Sequence, residues 1–383
     1  MDADFSKRRA RLLARFEAQA RFCKAASPLY HRLFTLLGER LAQDAAFAAW
    51  ILEAAAGRSS FDVPLLVLAG LHFQVLSRRP EARELAAYYP SVGGPAPATA
   101  PGLGPTLFAT LDALRDELAA FIATRPVQTN EGARGLCWLL PATYTGWKSA
   151  HLVELGASAG LNLAADGRRY ELSLQGGGLQ VFGLGREDAF AVQGEGDFAP
   201  PATGVPPQIL SRSGCDLAPL ALADSAKRAY LAAFVWADQP ARLQALKAGI
   251  SALLQASSHS PLSFEACRLP EELPAYLAGL GRLAAPCILF NSYITMYLPD
   301  RGRGLAPLVA RWARAQPHPV LWLQWEHLRG DHAPKAPVPG WLAWQVDLWQ
   351  NGRHGHWHLA WVHPHGSRVC WLPALAPWRD FWS

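Results

Sequence analysis

Charge is scarce in this chain: Asp, Glu, Lys and Arg make up 17% of 383 residues, while half are hydrophobic. Such a length and apolar content suffice for two domains, each with its own core. The net charge of +5 is small. Its densest basic run, Lys7-Arg8-Arg9-Ala10-Arg11, lies beside Asp2, Asp4 and Glu17. That pattern reads as a solvated helix face and argues against a nucleic-acid partner. No C-x-x-C occurs among the six cysteines, which stand far apart at Cys23, Cys137, Cys215, Cys267, Cys287 and Cys370. Unpaired spacing in apolar surroundings points to reduced core thiols and a cytoplasmic protein. The longest apolar stretch, Val63 to Phe73, is too short to span a bilayer, and the charged N-terminus has no apolar signal core. A membrane partner is therefore not expected. Neither a G-x-S-x-G elbow nor a G-x-x-x-x-G-K-[ST] loop is present, so hydrolase and ATPase readings lose support.

What the chain does have is His151 to Asn162, H-L-V-E-L-G-A-S-A-G-L-N. Leu152, Val153 and Leu155 form a short apolar run that stops at Gly156. Three small residues follow, then Gly160, after which apolar residues resume. This is the pattern of a buried parallel strand, a tight turn and a helix start. Glycine at the turn permits positive φ and close approach of a ligand to the backbone. A helix start there offers free N–H groups to a carboxylate or phosphate. An ordinary strand–turn–helix link without a ligand gives the same string.

Residues 1–124 read as all-helical, with runs Phe5 to Ala26, Leu29 to Gly57, Pro64 to Ser77 and Leu107 to Thr124, and a Pro- and Gly-rich linker from Pro90 to Pro105. A helix from Gln128 to Leu140 follows, with Thr129 or Asn130 as its cap. From 125 to 383 helices alternate with short apolar strands, and an insertion at 168–211 carries a β-hairpin. Strands are expected to end near Asp216 and Asn291 and after Pro319 to Trp325. Trp341 to Gln350 and His356 to His363 suit an antiparallel pair turned at Asn351-Gly352.

Several stretches are similar to an uncharacterised bacterial family, domain of unknown function 2332: Gln128-Thr129-Asn130-Glu131, Glu154-Leu-Gly-Ala-Ser-Ala-Gly-Leu-Asn-Leu163, Arg212-Ser-Gly-Cys-Asp-Leu-Ala-Pro219, Phe234-Val-Trp-Ala-Asp-Gln239 and Tyr297-Leu-Pro299. The order of elements also resembles class I S-adenosylmethionine-dependent methyltransferases. That resemblance implies an α/β fold with a Rossmann-like, mostly parallel sheet, an antiparallel C-terminal hairpin and a helical N-terminal lid. It implies a cofactor site at Glu154, Gly156, Ser158, Gly160 and Asn162, with Asp216 on the ribose hydroxyls and Glu265 near the adenine. Ser158 departs from the E/D-x-G-x-G-x-G pattern, adding a Cβ and a hydroxyl. Asp216 follows Glu154 by 62 residues, against roughly 20 in a dinucleotide-type unit. The insertion accounts for the gap if it leaves the sheet order intact.

Methyl transfer from a sulfonium is an in-line displacement in which the cofactor carries the reactivity and the protein aligns the acceptor. The resemblance places an unknown small or peptide-like acceptor near Asn291, Tyr293 and Tyr297, with Glu131 and His151 as acid–base groups. Tyr293 and Tyr297 read equally as packed aromatics, and Glu131 as a helix-start residue. His354, His356, His358, His363 and His365, with Cys370 and Asp347, form no strict ligand motif, so no metal is assigned. Trp325-Glu326-His327 ends a strand and pairs an acid with a base. The alternative to a methyltransferase is a non-catalytic nucleotide- or protein-binding module on the same fold. An NAD-linked enzyme lacks its middle glycine. Oligomeric state is not legible.

Overall fold

A computed structural model describes residues 3–128, 131–186, 189–202, 204–328 and 334–382. The chain divides into two compact units, Met1–Thr129 with Ala223–Leu246, and Asn130–Leu222 with Lys247–Ser383.

The first unit is helical: α1 (Ala3–Cys23), α2 (Pro28–Gln43), α3 (Ala45–Ala54), α4 (Val63–Leu76), α5 (Leu103–Ala113) and α6 (Arg115–Thr124). After α7 (Leu136–Ala142) in the second unit, the chain returns to the first with α8 (Ser225–Ala232) and the opening of α9 (Pro240–His259). Ser27 caps α2, its Oγ accepting from the Tyr30 N–H at 3.1 Å, with Pro28 in the first turn. The run Leu29 to Gly57 is two helices rather than one. Asp44 has extended backbone and its carboxylate accepts from the Phe47 N–H at 2.9 Å. A side chain that competes for backbone hydrogen bonds starts a new helix there. The run Leu107 to Thr124 likewise breaks, at Leu114 (φ −108°, ψ 24°). The returning segment is tied in by Asp238, which accepts from Ser27 Oγ at 2.5 Å and the Leu29 N–H at 3.0 Å. Trp236 stacks on Tyr30.

The second unit is an α/β structure around an eleven-stranded mixed, mostly parallel sheet. Its strands are β1 (Ser149–Leu155), β2 (Tyr170–Ser173), β3 (Leu179–Phe182), β4 (Phe190–Glu195), β5 (Gln208–Asp216), β6 (Leu262–Ala266), β7 (Cys287–Ser292), β8 (Val320–Glu326), β9 (Leu342–Gln350), β10 (Arg353–Val362) and β11 (Arg368–Trp371). Three helices complete it: α10 (Leu273–Gly279), α11 (Leu305–Arg314) and α12 (Leu375–Phe381). The order is β3-β2-β4-β11-β10-β9-β8-β7-β1-β5-β6. The five strands from β8 to β6 are parallel, and β9, β10 and β11 alternate antiparallel. Asn351 and Gly352 both take positive φ (52° and 72°), the turn a two-residue hairpin of β9 and β10 requires.

The insertion does not separate β1 from β5. Its strands β2, β3 and β4 extend the opposite edge of the sheet through β11, and β1 pairs β5 directly, Glu154 beside Gly214. Side chains two apart on a strand share a face, so Glu154 and Asp216 face the same side of the sheet. Val153, Leu155, Cys215, Leu289 and Trp322 fill the other side, with Leu273, Tyr276 and Leu277 of α10 and Leu305 and Val309 of α11.

Two local expectations fail. After Gly160 (φ 71°) the chain forms a seven-residue 3-10 segment, Leu161–Gly167, bent at Ala164, not an α-helix. A segment that short carries no macrodipole site for an anion. The expected helix from Gln128 is a 3-10 turn, Gly132–Gly135, followed by α7, which starts only at Leu136. Its proposed caps, Thr129 and Asn130, lie outside the described residues.

Candidate functional site

Parallel strands buried on both faces carry polar side chains only where something uses them. Glu154, near the end of β1, is 2% exposed. Its Oε1 accepts from Asn162 Nδ2 at 3.4 Å, while its Oε2 and Asn162 Oδ1 are buried with no hydrogen-bond partner. Trp138 of α7 fixes the Asn162 backbone, its indole N–H donating to the carbonyl at 2.8 Å. Burial pushes the Glu154 carboxyl well above the usual range; the Asn162 amide opposes that, Asp216 adds to it and Arg134 opposes it. Burial thus favours the protonated form of Glu154 over the carboxylate.

Asp216 ends β5 and holds the turn after β1. Its carboxylate accepts from the Ser158 N–H at 2.8 Å and from the Ala218 N–H at 3.1 Å, one on each oxygen. Ser158 sits at φ 51°. Gly156 and Gly160, both left-handed, do approach neighbours closely, but these are the protein's own side chains. An ideal Cβ on Gly156 would lie 2.3 Å from Ile294 Cγ2, and one on Gly160 2.3 Å from Phe264 Cζ. Strand register puts Glu265 level with Leu155 and Cys215, so it faces away from Glu154 and Asp216, and Phe264 takes the near side. Glu154, Ser158, Asn162 and Asp216 thus come together, and Glu265 does not join them.

Asn291, at the end of β7, is level with Leu155 and faces the other side of the sheet. Its Oδ1 accepts from the Trp322 indole at 2.7 Å and its Nδ2 donates to Glu326 at 2.9 Å. The two Glu326 oxygens also accept from the Ile294 and Thr295 N–H groups and from Thr295 Oγ1. This buried network fixes the turn after β7 and leaves the Asn291 amide oxygen already engaged. Burial raises the Glu326 carboxyl, and these bonds oppose it. His327 packs instead against the Tyr293 ring, 5.7 Å between centroids.

Tyr293 follows β7 at φ +61°, which costs a non-glycine residue of order 1 kcal/mol or more. Its ring lies 4.7 Å from the Arg134 guanidinium carbon, and Tyr297 packs edge-on to it at 6.4 Å. Glu131 lies 3.2 Å from His365 Nδ1. Arg134 was invisible to motif reading, because its main partner, the Pro364 carbonyl 2.9 Å from Nε, is 230 positions away. His151 is remote from this cluster: it precedes Glu154 in β1, bonds Ser211 at 2.7 Å, and burial lowers its pKa.

His354 and His356 both meet Asp347 Oδ1, at 2.8 and 3.0 Å, and the Asp347 contact raises the His356 pKa. Among the described residues no group of three or more His, Cys, Asp or Glu is placed to hold a metal ion. The six cysteines are free thiols, and all but Cys370 are buried. No helix of the described residues is long and apolar enough to cross a membrane.

A mostly parallel α/β sheet with polar groups gathered at the ends of adjacent parallel strands defines an α/β protein of mixed, mostly parallel sheet. The chain belongs to a family of uncharacterised proteins conserved in bacteria, domain of unknown function 2332, whose match spans residues 13–371. No curated protein and no solved structure matches it.

Proposed function

We propose that the second unit is a Rossmann-like, S-adenosylmethionine-dependent methyltransferase domain acting on a small acceptor in the cytoplasm. Three features support this reading. The order β6-β5-β1-β7-β8 reverses direction at β1, and ligands of open α/β sheets bind beyond the strand ends at such a point. Asp216 stands beside the turn after β1, each oxygen carrying one backbone bond and keeping a lone pair for a ribose hydroxyl. The observation that carries the proposal is the pair of buried polar atoms without partners, Glu154 Oε2 and Asn162 Oδ1, on the same side of the sheet. Each buried polar atom left unmet costs about 1–3 kcal/mol, which a ligand amine or hydroxyl would remove.

The fit is through side chains rather than bare glycine, since Ile294 and Phe264 cover Gly156 and Gly160. When bound, the cofactor supplies an electrophilic methyl group. Asp216, Glu154 and Asn162 orient it. Tyr293 and the Glu131–His365 pair are the groups left to place an acceptor and move a proton; Asn291 serves the turn instead. Calorimetric titration with S-adenosylhomocysteine tests the reading. Saturable heat supports it, and no heat with no thermal shift at millimolar ligand removes it.

The same covered glycines favour a second reading, a non-catalytic binding module holding a different small molecule. Mass spectrometry of ligand released from freshly purified protein separates the two: an adenosyl sulfonium or thioether supports the first, any other nucleotide the second.

A further inference from the structure

Arg134 is 5% exposed. A buried guanidinium normally meets a carboxylate, because an unpaired buried charge is costly. Here Nε donates to the Pro364 carbonyl, and the face of the group lies on the Tyr293 ring. Among the described residues it makes no ion pair, and its two terminal nitrogens make no hydrogen bond. The nearest acids are otherwise engaged: Glu131 meets His365, and Glu326 is tied to Asn291 and Thr295. Burial lowers the Arg134 pKa, and Glu131 is first among the groups opposing that. Tyr293, which supplies the stacking surface, is held in a left-handed conformation. Strain of this kind persists only where the surroundings impose it, and it clusters at ligand clamps.

We propose that the terminal nitrogens of Arg134 bind the carboxylate of a small organic acid, whose body rests against Tyr293, Tyr297 and His327, and that this acid is the acceptor of the reaction proposed above. Planar, two-point recognition of a carboxylate suits a guanidinium fork. A phosphate suits it less, because Glu131 and Glu326 already make the surroundings acidic and a second negative charge would be repelled. The site is built on the β7–β8 side of β1, whereas Asp216 and the Ser158 turn lie on the β5 side. The two groups of residues therefore stand on different sides of β1. The acceptor role rests on the methyltransferase reading; the anion site does not.

The probe is benzoate, titrated into the full chain by calorimetry and thermal shift, with benzamide as the uncharged isostere and inorganic phosphate as the rival anion. Benzoate is expected to bind and to raise the melting temperature, with benzamide and phosphate at least tenfold weaker. Arg134→Lys keeps the charge but loses the fork and should weaken benzoate tenfold or more. Arg134→Gln should abolish binding. Since Arg134 is buried, circular dichroism checks that the variants fold. Tyr297→Ala, on the exposed wall, provides an independent variant expected to lose affinity several-fold with the fold intact. Equal binding of benzamide, phosphate as tight as benzoate, or unchanged affinity in Arg134→Lys overturns the carboxylate site. Saturating S-adenosylhomocysteine should leave benzoate affinity unchanged; displacement of benzoate overturns the acceptor assignment. Loss of S-adenosylhomocysteine binding with benzoate binding retained sinks the methyltransferase reading alone.

Discussion

Gly156→Ala asks what the glycine after β1 is for. The substitution meets two separable penalties. Gly156 has φ +76°, and a side chain in the left-handed region costs roughly 1–2 kcal/mol. The new Cβ would also lie 2.3 Å from Ile294 Cγ2, where overpacking adds about 1–3 kcal/mol. Together they predict a loss of about 2–5 kcal/mol. Ile294→Ala removes the second penalty but leaves the first. In the double variant the two substitutions should therefore cost about 1–3 kcal/mol less than the sum of the single effects. The assay is urea unfolding followed by tryptophan fluorescence, which reports the second unit because all tryptophans except Trp50 and Trp236 belong to it. Strictly additive effects would show that Ile294 does not fill the space above Gly156.

Other perturbations test the rest of the structure. His72 is fully buried between Tyr30, Ser91 and the Ala233 carbonyl, and burial lowers its pKa from 6.5 to about 4. The unfolded chain takes up this proton first, so stability of the first unit should fall as pH drops from about 6.5 to about 4, by about 3 kcal/mol from this group. His72→Gln should remove that part of the acid slope, and an unchanged slope contradicts it. Glu154→Gln should match the wild type near pH 4 and exceed it in stability at pH 8, because the raised carboxyl loses stability as pH rises above its unfolded value. Urea midpoints across that range decide it, and a variant less stable at pH 8 refutes the upward shift of this buried carboxyl. Arg212 pairs with Asp166 through two bonds of 2.9 and 2.6 Å and also holds Ser260. Arg212→Met should cost about 3 kcal/mol by leaving Asp166 unpaired, and adding Asp166→Leu should recover part of it; no recovery would discount the pair.

Much of the sheet was legible for a simple reason. A parallel strand covered on both faces must be apolar throughout, so Leu152-Val153 and Cys287 to Phe290 announce themselves. The Asn351-Gly352 turn was equally plain, since few other pairs tolerate two positive φ values. The kinship of Glu154 with Asp216 survived a 62-residue excursion because the insertion left for the far edge of the sheet. That destination was not legible: β4 pairs with β11, with Gln193 beside Arg368, and nothing local encodes such a pairing. The breaks at Asp44 and Leu114 were hidden because apolar spacing continues across them. In the site, Phe264 and Ile294 were missed because the pattern identifies a glycine but not the side chain resting on it. Asn291 looked available because its engagement depends on Glu326 and Trp322, two residues of the neighbouring strand.

A crystal structure of the full chain grown with S-adenosylhomocysteine tests adenosyl binding at the ends of β1 and β5. The ribose hydroxyls are expected on the Asp216 carboxylate, with a polar group of the ligand within hydrogen-bond distance of Glu154 Oε2. A ligand bound elsewhere, or Glu154 Oε2 and Asn162 Oδ1 still without a partner in the ligand-bound crystal, would contradict it.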